Sequence, residues 1–64
     1  MSDLRIGVIG AGGRMGAAIV RQVAATSDAE IVAACDAPGH PAVGRDAGEV
    51  AGIESLGVKI GTDP

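Results

Sequence analysis

The seven residues from Gly10 to Gly16 have the composition of a phosphate-binding turn. They read Gly-Ala-Gly-Gly-Arg-Met-Gly and lie between a short apolar run and a stretch with helical periodicity. Backbone N–H groups and the partial positive charge of a helix N-terminus attract a pyrophosphate at such a turn. Gly10 permits a tight turn after the strand, and Gly16 lets the helix pack close to it. Gly12 or Gly13 allows a phosphate to approach the backbone.

The glycine spacing departs from the common Gly-x-Gly-x-x-Gly fingerprint, because position 15 is Met. The chain shows Gly10-x-x-Gly13-x-x-Gly16, with Gly12 as an additional glycine. Glycine accounts for 11 of the 64 residues, so spacing alone is a weak indication. The strand–turn–helix context strengthens the prediction of phosphate binding.

Asp36 is the second candidate for binding chemistry. It follows the apolar segment 31–35 and lies 20 residues after Gly16. The dinucleotide-binding fold places an acidic residue there, which hydrogen-bonds the adenosine ribose. A carboxylate accepts two hydrogen bonds from a vicinal diol and repels a 2′-phosphate. The alternative is an ordinary solvated aspartate at a strand end.

The elements that position these residues form a predicted βαβ unit. Strands are predicted over 4–9 and 31–35, and a helix from residue 13 or 14 to about residue 26. Neither strand alternates polar and apolar residues, which is typical of a parallel sheet covered on both faces. The apolar positions predicted to form the inner face of the helix are Met15, Ala18, Ile19 and Val23.

The rest of the chain carries weaker signals. His40 lies in a proline-containing turn and is expected to be an exposed loop residue, with a place near the adenine as the alternative. Asp46 and Glu49 have capping-box-like spacing before one or two helical turns over 47–51, which Gly52 ends. A short strand is expected over 57–61, and Cys35 is expected in the core.

The sequence ends with a predicted helix start. Thr62 or Asp63 is a good N-cap, and Pro64 suits a first helical position. We therefore expect residues 1–64 to be the N-terminal part of a larger dinucleotide-binding domain. With one sheet face bare, we expect poor stability of this part alone.

Composition excludes several classes of function. The net charge of −3 gives no basic surface for nucleic acid. No run of 18 apolar residues predicts a membrane span, and no signal peptide is recognisable, so a cytoplasmic location is expected. One cysteine excludes an internal disulfide, and no Cys/His cluster predicts a metal site.

Two motifs resemble those of the dihydrodipicolinate reductase family, whose current name is 4-hydroxy-tetrahydrodipicolinate reductase. The 10–16 segment is similar to that family's GAxGRMG turn, and the segment from Gly44 to Gly52 is similar to its GxDAGELAG loop. The distance between the motifs also agrees. The resemblance covers nearly all 64 residues and about the first quarter of a family member.

The resemblance implies a Rossmann-type N-terminal domain followed by a substrate-binding and tetramerisation domain. It implies hydride transfer from NADH or NADPH to a cyclic intermediate of lysine and diaminopimelate synthesis, with loss of water, by a homotetramer. The family's catalytic residues lie beyond residue 64, so none is expected here and these residues alone should be inactive. It implies that Asp36 binds the ribose and that Arg14 lies near the phosphates. The cofactor-binding residues that it implies are Gly10, Ala11, Gly12, Gly13, Arg14, Met15 and Asp36.

One departure from the family pattern bears on the choice of cofactor. Many members that use NADPH carry a basic residue directly after the acid, and this chain has Ala37 there. A 2′-phosphate would meet Asp36 without an adjacent cation, which favours NADH, with NADPH still possible. Arg45 or His40 could restore a positive charge.

Two other classes of function share the turn and the acid. One is another Rossmann oxidoreductase, of the homoserine or semialdehyde dehydrogenase type. The other is a non-enzymatic domain that senses nucleotides. The 44–52 loop argues against the first class. For the second class, the discriminator is that loop together with whatever follows Pro64, since fold-level analogy alone does not separate these functions.

Overall fold

A computed structural model describes residues 3–62 of the chain. The predicted N-cap at Asp63 and the helix start at Pro64 lie outside the described residues. The elements, in chain order, are β1 (Leu4–Ile9), α1 (Arg14–Ala24), β2 (Ala29–Cys35), α2 (Ala47–Val50) and β3 (Ile60–Gly61).

The three strands form one parallel sheet in the order β1-β2-β3. The helix α1 connects the parallel neighbours β1 and β2, so the predicted Rossmann-type βαβ unit is confirmed. Val32 is an extra residue in β2, because Ile6 pairs with Ile31 while Gly7 pairs with Ala33. Both long strands end at the same edge, where Ile9 pairs with Cys35.

The prediction for the inner face of α1 was wrong at three of four positions. Met15 is 79% exposed, Ile19 is 41% exposed and Ala18 is exposed, whereas Val23 is buried as predicted. The helix instead buries Gly16, Val20 and Val23, whose spacing of four and three residues also defines one helical face. Gly16 determines the choice, because its lack of a side chain lets α1 meet the β1–α1 turn.

Element boundaries differ modestly from the sequence prediction. β2 begins at Ala29 rather than residue 31, because Leu4 and Arg5 of β1 pair with Ala29 and Glu30. β3 covers only Ile60–Gly61 rather than 57–61. The preceding N–H groups of Leu56 and Val58 donate to a side chain instead of a strand.

Among the residues that the structure describes, none covers the second face of the sheet, as expected. Val8 is buried against the core on the helix side, whereas its neighbours Gly7 and Ile9 point to the other face and are exposed. Ile9 is 76% exposed. Within residues 3–62, no helix is long and apolar enough to cross a membrane.

Candidate dinucleotide-binding site

The β1–α1 turn is anchored to the end of β2. Gly10 has φ +77°, a left-handed conformation that favours glycine, as the tight-turn prediction requires. The N–H groups of Gly10 and Ala11 both donate to the carbonyl of Cys35, at 2.9 and 3.0 Å. The Gly13 N–H donates to the Gly10 carbonyl at 3.0 Å. These bonds fix the turn at the carboxyl edge of the sheet.

Gly16 allows the predicted close packing of the helix on the turn. A Cβ at this position would collide with the Gly10 carbonyl oxygen and would lie 2.8 Å from the Ala11 Cα. Both atoms belong to the backbone, so neither can rotate away. The start of α1 can therefore lie this close to the turn only with glycine at position 16.

The N-terminus of α1 presents donors that the protein does not use. Gly13 is the N-cap and supplies no side-chain cap, and the first helical bond runs from the Ala17 N–H to the Gly13 carbonyl. Within residues 3–62, the N–H groups of Arg14, Met15 and Gly16 have no acceptor. The first turn also contains no acidic residue. An anion placed here would meet these open N–H groups and also the positive end of the helix dipole.

Asp36 lies beside this turn. One carboxylate oxygen, Oδ2, accepts from the Gly12 N–H at 2.8 Å, and the other, Oδ1, accepts from the Ala37 N–H at 2.7 Å. The Ala37 N–H and then the Gly12 N–H hold the pKa of the Asp36 carboxyl below its ordinary value. The carboxylate is therefore ionised at neutral pH. The structure thus brings the two predicted features, the glycine turn and the acid, into direct contact.

Gly12 and Gly13, either of which was predicted to let a phosphate approach the backbone, differ in their surroundings. A Cβ on Gly12 would lie 2.5 Å from His40 Cε1 and 2.8 Å from Ala42 Cβ. Its missing side chain therefore makes room for the 40–42 loop rather than for open solvent. Gly13 keeps the open position, because the nearest atom to a Cβ there is the Gly10 oxygen at 3.5 Å.

His40 belongs to the same cluster, although the sequence predicted an exposed loop residue, with a place near the adenine as the alternative. Its Nδ1 accepts from the Ala42 N–H at 3.0 Å, and its Nε2 lies 3.9 Å from Asp36 Oδ2. The side chain is 34% exposed. The proline-containing turn was the only sequence signal, and it did not indicate which way the ring would point.

Asp46 organises the second loop far beyond the predicted cap. It caps α2 through the Gly48 and Glu49 N–H groups, and it also accepts from the N–H groups of Leu56 and Val58. The Leu56 N–H is the largest of the causes that lower the pKa of Asp46 to about 2. One carboxylate thus joins the start of α2 to the part of the chain that precedes β3.

No three His, Cys, Asp or Glu side chains within residues 3–62 could hold a metal ion together. Cys35 is buried, as predicted for a core residue. Arg14 and Met15 are exposed in the first turn of α1. Among the residues that the structure describes, no hydrogen bond or salt bridge joins the Arg45 side chain to Asp36.

Comparison with known proteins shows the family to which the chain belongs. The profile of the family described as "Dihydrodipicolinate reductase, N-terminus" matches residues 4–64. The chain is 55% identical over 61 residues to the 4-hydroxy-tetrahydrodipicolinate reductase of Halorhodospira halophila, covering 95% of this chain and 23% of that protein. It is 51% identical over 59 residues to the enzyme of the same name from Alkalilimnicola ehrlichii, covering 92% of this chain and 22% of that protein.

A third relative, the 4-hydroxy-tetrahydrodipicolinate reductase of Bradyrhizobium diazoefficiens, is 46% identical over 63 residues, covering 98% of this chain and 23% of the relative. The chain spans less than a quarter of the length of these relatives. Because the family profile covers almost every residue, this chain belongs to the dihydrodipicolinate reductase N-terminal family.

Proposed function

We propose that this chain is the cofactor-binding N-terminal part of an NAD(P)H-dependent 4-hydroxy-tetrahydrodipicolinate reductase. The observation that carries the proposal is the direct contact between the glycine turn and Asp36 through the Gly12 N–H. The contact lies at the carboxyl edge of the parallel sheet, where folds of this type bind nucleotides. The family match and the names of the relatives support the same activity.

The pyrophosphate would bind at the start of α1. The N–H groups of Arg14 and Met15 are open donors, and the exposed Arg14 side chain can add positive charge. Gly10 and Ala11 contribute through the shape of the turn, because their own N–H groups are bonded to Cys35. Gly13 leaves the space beside the backbone open.

The adenosine ribose would bind at Asp36. Each carboxylate oxygen uses one lone pair on a backbone N–H, which leaves capacity to accept from the ribose diol. The negative charge and the neutral Ala37 next to it favour NADH over NADPH. Neither backbone bond needs to break for the diol to bind, so this carboxylate is preorganised.

The nicotinamide, when bound, supplies the hydride that reduces the cyclic substrate. The residues described here bind and orient the cofactor. We place the proton donor, the substrate site and the contacts of a homotetramer in the parts of the relatives that this chain does not match. A cytoplasmic location belongs to the same proposal, as does the inactivity of residues 1–64 alone.

The test is a binding titration of NADH and NADPH, side by side, on the full-length protein. Tighter binding of NADH, weakened in the Asp36→Ala variant, is the expected result. Equal or tighter binding of NADPH would contradict the assigned preference and indicate that a cation such as Arg45 reaches the 2′-phosphate. Failure to bind either dinucleotide would overturn the proposed function.

A further inference from the structure

We infer that His40 is a specificity-determining residue, whose neutral Nε2–H donates to a ribose hydroxyl that Asp36 also contacts. The inference rests on the proposed function, since it assigns a second contact within the same cofactor site. It makes the ribose pocket a pair, with one acceptor and one donor, rather than a single carboxylate.

The tautomer of His40 follows from its loop. The Ala42 N–H donates to Nδ1 at 3.0 Å, so that nitrogen must be unprotonated. In a neutral imidazole the proton then lies on Nε2. The backbone of the loop supports this geometry, because the His40 N–H donates to the Ala37 carbonyl and the His40 carbonyl accepts from the Val43 N–H.

The position of the ring is fixed on a second side by Gly12. A Cβ on Gly12 would meet Cε1 and Nδ1 of His40 at 2.5 and 2.8 Å, and Ala42 Cβ also at 2.8 Å. The ring therefore lies against the phosphate-binding turn and next to Asp36. A side chain at position 12 would push it away, which gives Gly12 a reason in this chain beyond phosphate approach.

The gap between His40 and Asp36 has the size of a shared ligand atom. Nε2 is 3.9 Å from Asp36 Oδ2, which is too long for a direct hydrogen bond and short enough for one hydroxyl to contact both. A hydroxyl can accept from Nε2–H and donate to Oδ2 at the same time. An ionised carboxylate or phosphate has no proton to donate to Oδ2, so the pair favours a hydroxyl, which the adenosine ribose of the proposed cofactor supplies.

The test compares two substitutions in the full-length protein. His40→Asn keeps an acceptor near the Nδ1 position for the Ala42 N–H and removes the Nε2 donor. His40→Gln keeps a donor near the Nε2 position and removes the Nδ1 acceptor. We expect His40→Asn to weaken NADH binding about threefold to tenfold, as one lost hydrogen bond would, and His40→Gln to stay closer to wild type. The reverse order would show that His40 acts only by holding its loop, and would overturn the inference.

Two analogues of NADH identify the ribose hydroxyl that His40 contacts. One analogue lacks the 2′-hydroxyl of the adenosine ribose, and the other lacks the 3′-hydroxyl. The effect of His40→Asn should vanish for at least one analogue, because the removed donor then has no partner. An equal effect of His40→Asn on NADH and both analogues would overturn the inference. Failure of the wild-type protein to bind NADH would instead overturn the proposed function itself.

The tautomer gives an independent readout. Imidazole ¹⁵N resonances of the ligand-free protein, recorded in mildly alkaline buffer, should show His40 protonated at Nε2. A proton on Nδ1 would contradict the Ala42 contact and remove the donor from the pocket.

Discussion

The Asp36 carboxylate accepts a hydrogen bond from the Gly12 N–H across 2.8 Å, and this contact joins the end of β2 to the glycine turn. The two residues are 24 positions apart in sequence. The same oxygen faces His40, so three parts of the chain meet at one atom. These contacts hold the carboxylate, the glycine turn and the loop of His40 next to one another.

The first prediction concerns the charge of Asp36. Asp36→Asn should weaken NADH binding by about tenfold or more, because charged acceptors make the stronger hydrogen bonds. NADPH binding should weaken less, because the substitution also removes repulsion of the 2′-phosphate. The measurement is a fluorescence titration of both cofactors, with Asp28→Asn as a control that removes an exposed charge elsewhere. Equal losses for NADH and NADPH would argue against a ribose role.

The second prediction concerns close packing at Gly16. Gly16→Ala should destabilise the protein by at least about 1–3 kcal/mol, the usual cost of overpacking, because the new Cβ meets backbone atoms of Gly10 and Ala11. Gly13→Ser is the matched control in the same turn. The serine Cβ at position 13 would lie 3.5 Å from the nearest atom, and serine is a good N-cap. Urea unfolding of both full-length variants checks this, and equal stability of the two would contradict the packing argument.

The third prediction distinguishes the two faces of α1. Val20 is fully buried and its neighbour Ile19 is 41% exposed. Val20→Ala should therefore cost about 1.6 kcal/mol from two lost methylene equivalents, with a further cavity cost. Ile19→Ala should cost less, although it removes a larger group. Denaturant midpoints of the two variants give the comparison. A greater loss of stability in Ile19→Ala would indicate that the face of α1 predicted from the sequence is the inner one.

Sequence reasoning found the parts of this molecule that depend on local chemistry. The strand–turn–helix order, the φ > 0 turn at Gly10 and the placement of Asp36 all follow from residue type and spacing. The error on α1 arose because large apolar residues at Met15 and Ile19 outweighed a glycine in the pattern. Close contact of Gly16 with the turn decides the helix rotation, and periodicity does not measure that contact.

The roles of His40 and Asp46 depend on contacts between distant segments. The direction of the His40 ring depends on Gly12, which lies 28 positions earlier. Asp46 reads locally as a helix cap, which is correct, but two of its four donors come from Leu56 and Val58. Only the return of the chain toward β3 brings those N–H groups to the carboxylate.

The last prediction concerns the pH dependence of the 46–58 segment. Backbone donors, the Leu56 N–H first, lower the pKa of Asp46 from 3.8 to about 2. A carboxyl group whose pKa is lower in the folded state stabilises the fold when ionised. Its contribution is therefore complete above about pH 4 and is lost as the pH falls from about 4 to about 2.

Asp46→Asn should remove this contribution at neutral pH, because the amide presents a donor where the protein also offers donors. Hydrogen exchange of the Leu56 and Val58 amides should quicken in the variant relative to wild type. In wild type, the protection of these two amides should fall as the pH decreases from about 4 to about 2. This fall should be absent in Asp46→Asn and present in Asp28→Asn, which serves again as the control. An unchanged fall in Asp46→Asn would mean that another group, of which Asp36 is the first candidate because its pKa is also lowered, controls acid opening of this segment.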